Sequence, residues 1–199
     1  MKKLSKPAFL KVFPWVLVIG GIIGLIASSV LTVEKIKIAA DPNFIPSCSI
    51  SPIVACSPVI SSDQATAFGV PNPFLGLAGF GMVIAVGMML FAGATNLKKW
   101  FWWCFQAGTL FGILFVSWLI YQSVYEIGKL CLYCMATWAI TIPIFWTTTA
   151  YNLQQKNIAV PGALGTVLRN HSGKLIVISY VIVLIIVSTH FSEYWYSLL

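Results

Sequence analysis

Four of the five cysteines in this chain form two pairs whose spacings suit thiol–disulfide chemistry. Cys131-Leu132-Tyr133-Cys134 is a C-x-x-C, and Cys48 and Cys56 have seven residues between them in a segment rich in Pro and Ser. A thiolate that attacks a disulfide passes its electrons on through a mixed disulfide, so two such pairs can work as a relay. A C-x-x-C that opens a helix meets unpaired backbone N–H groups and the positive end of the helix dipole, which favour the thiolate. Three residues apart on a helix, the two sulfurs share one face within a turn. A disulfide can therefore close there, with Cys134 deeper in the bundle than Cys131. Cys48 and Cys56 can pair with each other or swing onto Cys131.

Two plainer uses compete with the relay. Structural disulfides suit an oxidising compartment, but a C-x-x-C closes too short a loop to stabilise much. A four-cysteine zinc site would use C-x-x-C as a half-site, yet the spacing of Cys48 and Cys56 is wide of the usual two to four or so residues, and no metal is expected. Cys104 lies about twenty residues from the relay end of its helix, ~30 Å away at 1.5 Å rise per residue. It is expected to be a buried structural thiol. His171 and His190 have no clustered ligands and read as surface or interfacial residues.

The elements that hold these cysteines are membrane spans. Hydrophobic residues make up 59% of the chain and charged ones only 9%, a composition that fits the bilayer rather than water as solvent. Five uncharged stretches, about 12–31, 75–97, 100–125, 130–155 and 175–192, are each long enough to cross ~30 Å of hydrocarbon. The first follows Lys2, Lys3, Lys6 and Lys11 as a signal peptide would, but its apolar run is too long and no clear cleavage site follows, so it reads as a retained span.

Basic residues stay on the cytoplasmic side. With the N-terminus inside, the inner segments hold Lys2, Lys3, Lys6, Lys11, Lys98, Lys99, Lys156, Arg169 and Lys174, and the outer side keeps only Lys35, Lys37 and Lys129. All five acids, Glu34, Asp41, Asp63, Glu126 and Glu193, then fall outside, as does the C-terminus. The charge of +7 is spread over separate inner loops, so nucleic-acid binding is not expected. Trp15, Trp100, Trp102, Trp103, Trp195 and Tyr196 fall near span ends and read as interfacial anchors. The whole chain, 1–199, reads as a single multi-pass domain in lipid.

The outer segment from Thr32 to Phe74 is the long non-span stretch. Ser61-Ser62-Asp63-Gln64 offers a helix start and Phe68-Gly69-Val70-Pro71 a stop, which predicts a short helix over about Ser62 to Phe68. Ala65, Ala67 and Phe68 would let it lie on the bundle mouth as a cap. Spans three and four are joined by a few residues around Glu126 to Lys129, so they must be antiparallel neighbours, with Cys131 at the outer surface.

Cys48, then Cys56-Ser57-Pro58-Val59-Ile60-Ser61-Ser62, Phe68-Gly69, Pro71-Asn72 and Cys131-x-x-Cys134, in this order and spacing, resemble the vitamin K epoxide reductase family in its bacterial branch, over about Pro14 to Tyr151. The resemblance implies an all-α membrane protein: a four-helix bundle around a quinone, open to the outer leaflet, capped by the loop and its short helix, with the fifth span accessory. It implies that Cys131 and Cys134 are the active-site pair, with Cys134 facing the quinone, and that Cys48 and Cys56 are the shuttle pair. Cys56 would exchange with Cys131 and Cys48 would meet the partner. Asn72 matches an asparagine that bonds a quinone oxygen, and Ser62 a hydroxyl residue at the cap, although Asn is common in turns and Ser at helix starts. The chain departs from the family pattern at Trp138, where many members have Tyr for the second quinone oxygen, and at Leu132, where many bacterial members have Pro.

The implied activity is a quinone-dependent thiol oxidoreductase of the plasma membrane, its active site on the outer or periplasmic side. It would pass electrons from a secreted thioredoxin-like or DsbA-like thiol oxidoreductase to menaquinone or ubiquinone and so drive disulfide formation. Some relatives carry a fused thioredoxin-like domain after span five; the sequence given stops at Leu199, and the partner is either such a domain, lost or removed, or a separate secreted thiol oxidoreductase. Reduction of vitamin K quinone or epoxide, and a non-catalytic scaffold with structural disulfides, are the alternatives.

Overall fold

The computed structural model describes residues 8–41, 43–94 and 96–192. Lys2, Lys3, Lys6, Glu193, Trp195 and Tyr196, used above for orientation and anchoring, lie outside the described residues.

Long apolar runs become long helices because a helix satisfies every backbone polar group within its own segment. They are α1 (Ala8–Ala40), α3 (Asn72–Phe91), α4 (Lys99–Tyr121), α5 (Leu132–Gln154) and α7 (Ser172–His190), with the short helices α2 (Cys56–Ser61) and α6 (Gly162–Asn170) between them. α1, α3, α4 with its continuation to Ile127, and α7 are long and apolar enough to cross a membrane. This is a membrane protein built as an all-α bundle. α5 has similar length but carries Thr141, Thr147, Thr148 and Asn152, all buried. It can be this polar because α1, α4 and α7 pack around it and much of its polar surface bonds inside the bundle. Asn152 Nδ2, for example, donates to Gln106 Oε1 at 3.0 Å.

α1 packs on α3 through small residues. A Cβ at Gly24 would come within 2.6 Å of the Phe80 ring, so only glycine lets the two helices approach this closely. α7 docks differently. Pro143 lacks the N–H that would bond the carbonyl of Ala139, and the Tyr180 hydroxyl of α7 donates to that freed oxygen at 2.5 Å. α4 ends in a π-helical turn, Gln122–Ile127, and Gly128 at φ 64° reverses the chain toward α5.

Three expectations are corrected. The short helix of the outer segment begins earlier: α2 spans Cys56–Ser61 and a 3-10 turn follows over Asp63–Thr66. The Ser62 hydroxyl does not cap a helix start but donates back to Val59 O at 2.8 Å. Phe68 nonetheless rests near Phe115 of α4, ring centroids 5.6 Å apart, so the segment does cover the bundle mouth. Second, Trp102 is no interfacial anchor. It is buried beside Tyr151 in a cluster with Phe13 and Leu17, whereas Trp15, Trp100 and Trp103 are exposed as expected. Third, Cys104 is exposed rather than buried. Helix periodicity alone does not say which neighbour covers a given face, and this one opens onto a cavity.

Candidate active site

The four cysteines of the two pairs converge at one end of the bundle. Cys48 lies in the loop after α1, Cys56 opens α2, Cys131 is the N-cap of α5 and Cys134 is in its first turn. The loop is held in place by backbone bonds to the residues just before α5. Leu130 N–H donates to Ile53 O at 2.8 Å and Ala55 N–H to Leu130 O at 3.0 Å, an isolated parallel bridge between Val54 and Leu130. Lys129 Nζ adds a bond to Pro52 O at 2.7 Å. Just beyond this bridge on each chain come Cys56 and Cys131.

Cys48 and Cys56 are joined in a disulfide. Cys131 Sγ lies 2.8 Å from Cys56 Sγ, and both residues are fully buried. Cys134, one turn into α5 from Cys131, packs against the same cluster. The order of contact is thus Cys48, Cys56, Cys131, Cys134. Of the pairings that the spacing leaves open, the loop pair is closed and the helix pair is open. Leu31, Ile60 and the buried cysteines form one apolar cluster, so the exchange point is dry. The sulfurs of Cys48, Cys56 and Cys131 lie within 4.8 Å of one another, but two of them are bonded to each other and offer no thiolate to a metal.

Sequence reasoning passed over Glu34. α1 does not end near Leu31 but continues to Ala40, which carries Glu34 into this cluster at 5% exposure. Its Oε1 accepts Ser47 N–H at 3.1 Å and the Ser47 hydroxyl at 2.6 Å, and its Oε2 lies 3.5 Å from Cys48 Sγ. A signal was present. Ala27, Leu31, Glu34 and Ile38 follow helical spacing, so the buried face of α1 runs on through an acid.

Below the cysteines a cavity of about 660 Å³ lies between α3 and α4, within the range that holds a small organic molecule. Cys134, Trp138, Asn72 and Ser62 all line it. Trp138 Nε1 is buried with no hydrogen-bond partner among the described residues. Asn72 is already engaged. Its Nδ2 donates to Gln64 O at 2.7 Å and its Oδ1 accepts Ala67 N–H at 3.1 Å, pinning the cap to the start of α3. Cys104 lines the same cavity but stands apart from the sulfur cluster.

The sequence pattern of the vitamin K epoxide reductase family matches residues 15–149. The chain belongs to this family. No curated protein sequence matches it. The vitamin K epoxide reductase match runs from α1 into α5 and so contains all four site cysteines, the cap and the cavity-lining residues named above; α6 and α7 lie beyond it. Membership implies an oxidoreductase, and a closed Cys48–Cys56 disulfide touching Cys131, with Cys134 next in line, fits a thiol oxidoreductase.

Proposed function

We propose that this protein reoxidises a secreted thioredoxin-like partner and passes the electrons through Cys48/Cys56 and Cys131/Cys134 to a membrane quinone. The observation that carries the reading is the 2.8 Å approach of Cys131 Sγ to Cys56 Sγ, with Cys134 on the cavity wall. A closed loop pair and an open helix pair correspond to the moment after the loop has handed its electrons inward. In the preceding steps Cys56 attacks Cys131 of an oxidised helix pair and displaces Cys134, and Cys48 then attacks Cys56 and frees Cys131. The partner's thiolate next opens the Cys48–Cys56 disulfide.

The cavity suits a quinone ring. It is lined mostly by apolar side chains, Cys134 lies on its wall, and the unpaired Trp138 Nε1–H is a buried donor that a ligand carbonyl would satisfy. A bound quinone supplies a two-electron, two-proton sink. Trp138 would orient it, and Ser62, whose hydroxyl proton goes to Val59 O, would line it and could accept from the quinol; Asn72 holds the cap over it and keeps one amide hydrogen for it. The basic bias of the inner loops supports an N-inside orientation in the plasma membrane, with the cysteines facing the oxidising compartment.

Quinone reduction by purified protein with a small dithiol donor tests this reading. Wild type should turn over and Cys134→Ala should not, while Cys48→Ala should keep activity with a small dithiol that reaches Cys131 directly. Equal loss in both variants would remove the proposed division of labour.

A further inference from the structure

Burying a carboxylate is costly unless its oxygens are paired, and Glu34 is paired on one side only. Ser47 gives Oε1 two hydrogen bonds. Oε2 faces Cys48 Sγ at 3.5 Å, and a disulfide sulfur has no proton to donate. In the reduced loop, Cys48 carries that proton. The carboxylate therefore stands where a Cys48 thiol must lose its proton before it can attack, since the thiolate is the nucleophile. The apolar cluster around the sulfurs leaves little water to take it. Ser47, by contrast, is exposed.

We propose that Glu34 is the catalytic base that takes the Cys48 proton as Cys48 closes onto Cys56, while exposed Ser47 holds its other oxygen on the solvent side. The assignment rests on the electron order proposed above. Cys48 begins as a thiol beside a Cys56–Cys131 mixed disulfide. Its proton passes to Glu34 Oε2, its sulfur bonds Cys56 Sγ, and the Cys56–Cys131 bond breaks with its electron pair leaving on Cys131. Cys48 is oxidised and Cys131 is reduced. The ionisable groups facing Glu34 from the packed elements are Cys48 from the loop and Cys131 from the start of α5, with Tyr133 beyond Ser47 at 3.4 Å between hydroxyls. Lys35 on the same helix is turned away to Ile60 O at 3.1 Å.

The test follows the mixed disulfide through one turnover. Fully reduced whole chain in detergent is mixed with quinone, quenched in acid at intervals, alkylated and analysed by mass spectrometry. Glu34→Gln keeps an acceptor for Ser47 but cannot take a proton. Its Cys56–Cys131 species should build up and decay roughly tenfold or more slowly than in wild type. The decay should also become proportional to hydroxide between roughly pH 6 and 9, where thiols titrate, which a merely structural role for Glu34 would not produce. Glu34→Asp, which keeps the acid at longer reach, should fall between the two, and it carries the decision if the Gln variant does not fold. Decay within twofold of wild type with an unchanged pH profile in the folded variants overturns the assignment. A wild type in which no Cys56–Cys131 species ever forms is a different result, and it sinks the electron order together with the base.

Discussion

Cys131 Sγ lies 2.8 Å from Cys56 Sγ although 75 residues separate them in the chain. The contact depends on the Val54–Leu130 bridge, which delivers α2 and α5 to the same point with their first sulfurs facing. A Cys131 thiolate so placed faces the near sulfur of the loop disulfide, which is the geometry that exchange between the two pairs requires.

Replacing Cys48 and Cys134 by Ala together should therefore trap a Cys56–Cys131 disulfide. Neither remaining thiol has its resolving neighbour, so the bond has no intramolecular exit. Non-reducing digestion and mass spectrometry read it directly. Free Cys56 and Cys131 under oxidising conditions would show that the contact does not support exchange.

Trp138→Phe removes a buried indole N–H that lacks a partner among the described residues. If that donor bonds a quinone oxygen, the KM for quinone should rise about fivefold, the equivalent of one hydrogen bond of about 1 kcal/mol. The melting temperature without quinone should hold or rise, because an unpaired buried donor has gone. An unchanged KM would take Trp138 out of the quinone site.

Tyr180→Phe should cost about 0.5–2 kcal/mol of stability, since it leaves the Ala139 carbonyl without a donor where Pro143 already offers none. Quinone reduction should stay at the wild-type rate, because Tyr180 lies on α7, away from the sulfurs. Thermal unfolding in detergent measures the first effect and the dithiol assay the second. Loss of activity without loss of stability would contradict the division.

Lys156 and Asp41 are both exposed and should lie on opposite sides of the membrane. In a Cys104→Ser background, a cysteine introduced at Asp41 should react with an impermeant thiol reagent on intact cells, and one at Lys156 only after permeabilisation. The reverse pattern would place the relay in the reducing compartment and end the proposed function.

Much of this could be read from the chain because it is local. Uncharged runs demand helices in lipid, and the C-x-x-C at Cys131 falls where turn residues give way to an apolar run, so it had to open a helix. Side-chain partners were not local. Trp102 and Trp100 lie two residues apart at one helix end, yet one is core and the other exposed, because Tyr151 and Phe13 arrive from other helices to cover only the first. Cys104 was misread for the same reason. Glu34 was missed because a charge suggests the end of an apolar run, whereas the helix continued and Ser47 came back to bond it.

Residue types and their spacing by themselves determined that the protein is helical, lives in lipid and carries two cysteine pairs suited to exchange. Only the tertiary structure decided that Cys48 closes on Cys56, that Cys131 waits against Cys56 in a dry cluster, and that a carboxylate faces Cys48. The former follow from hydropathy and hydrogen bonding within one segment. The latter depend on which segments the Val54–Leu130 bridge and the packing around α5 bring together, and that is settled by contacts between residues far apart in the chain.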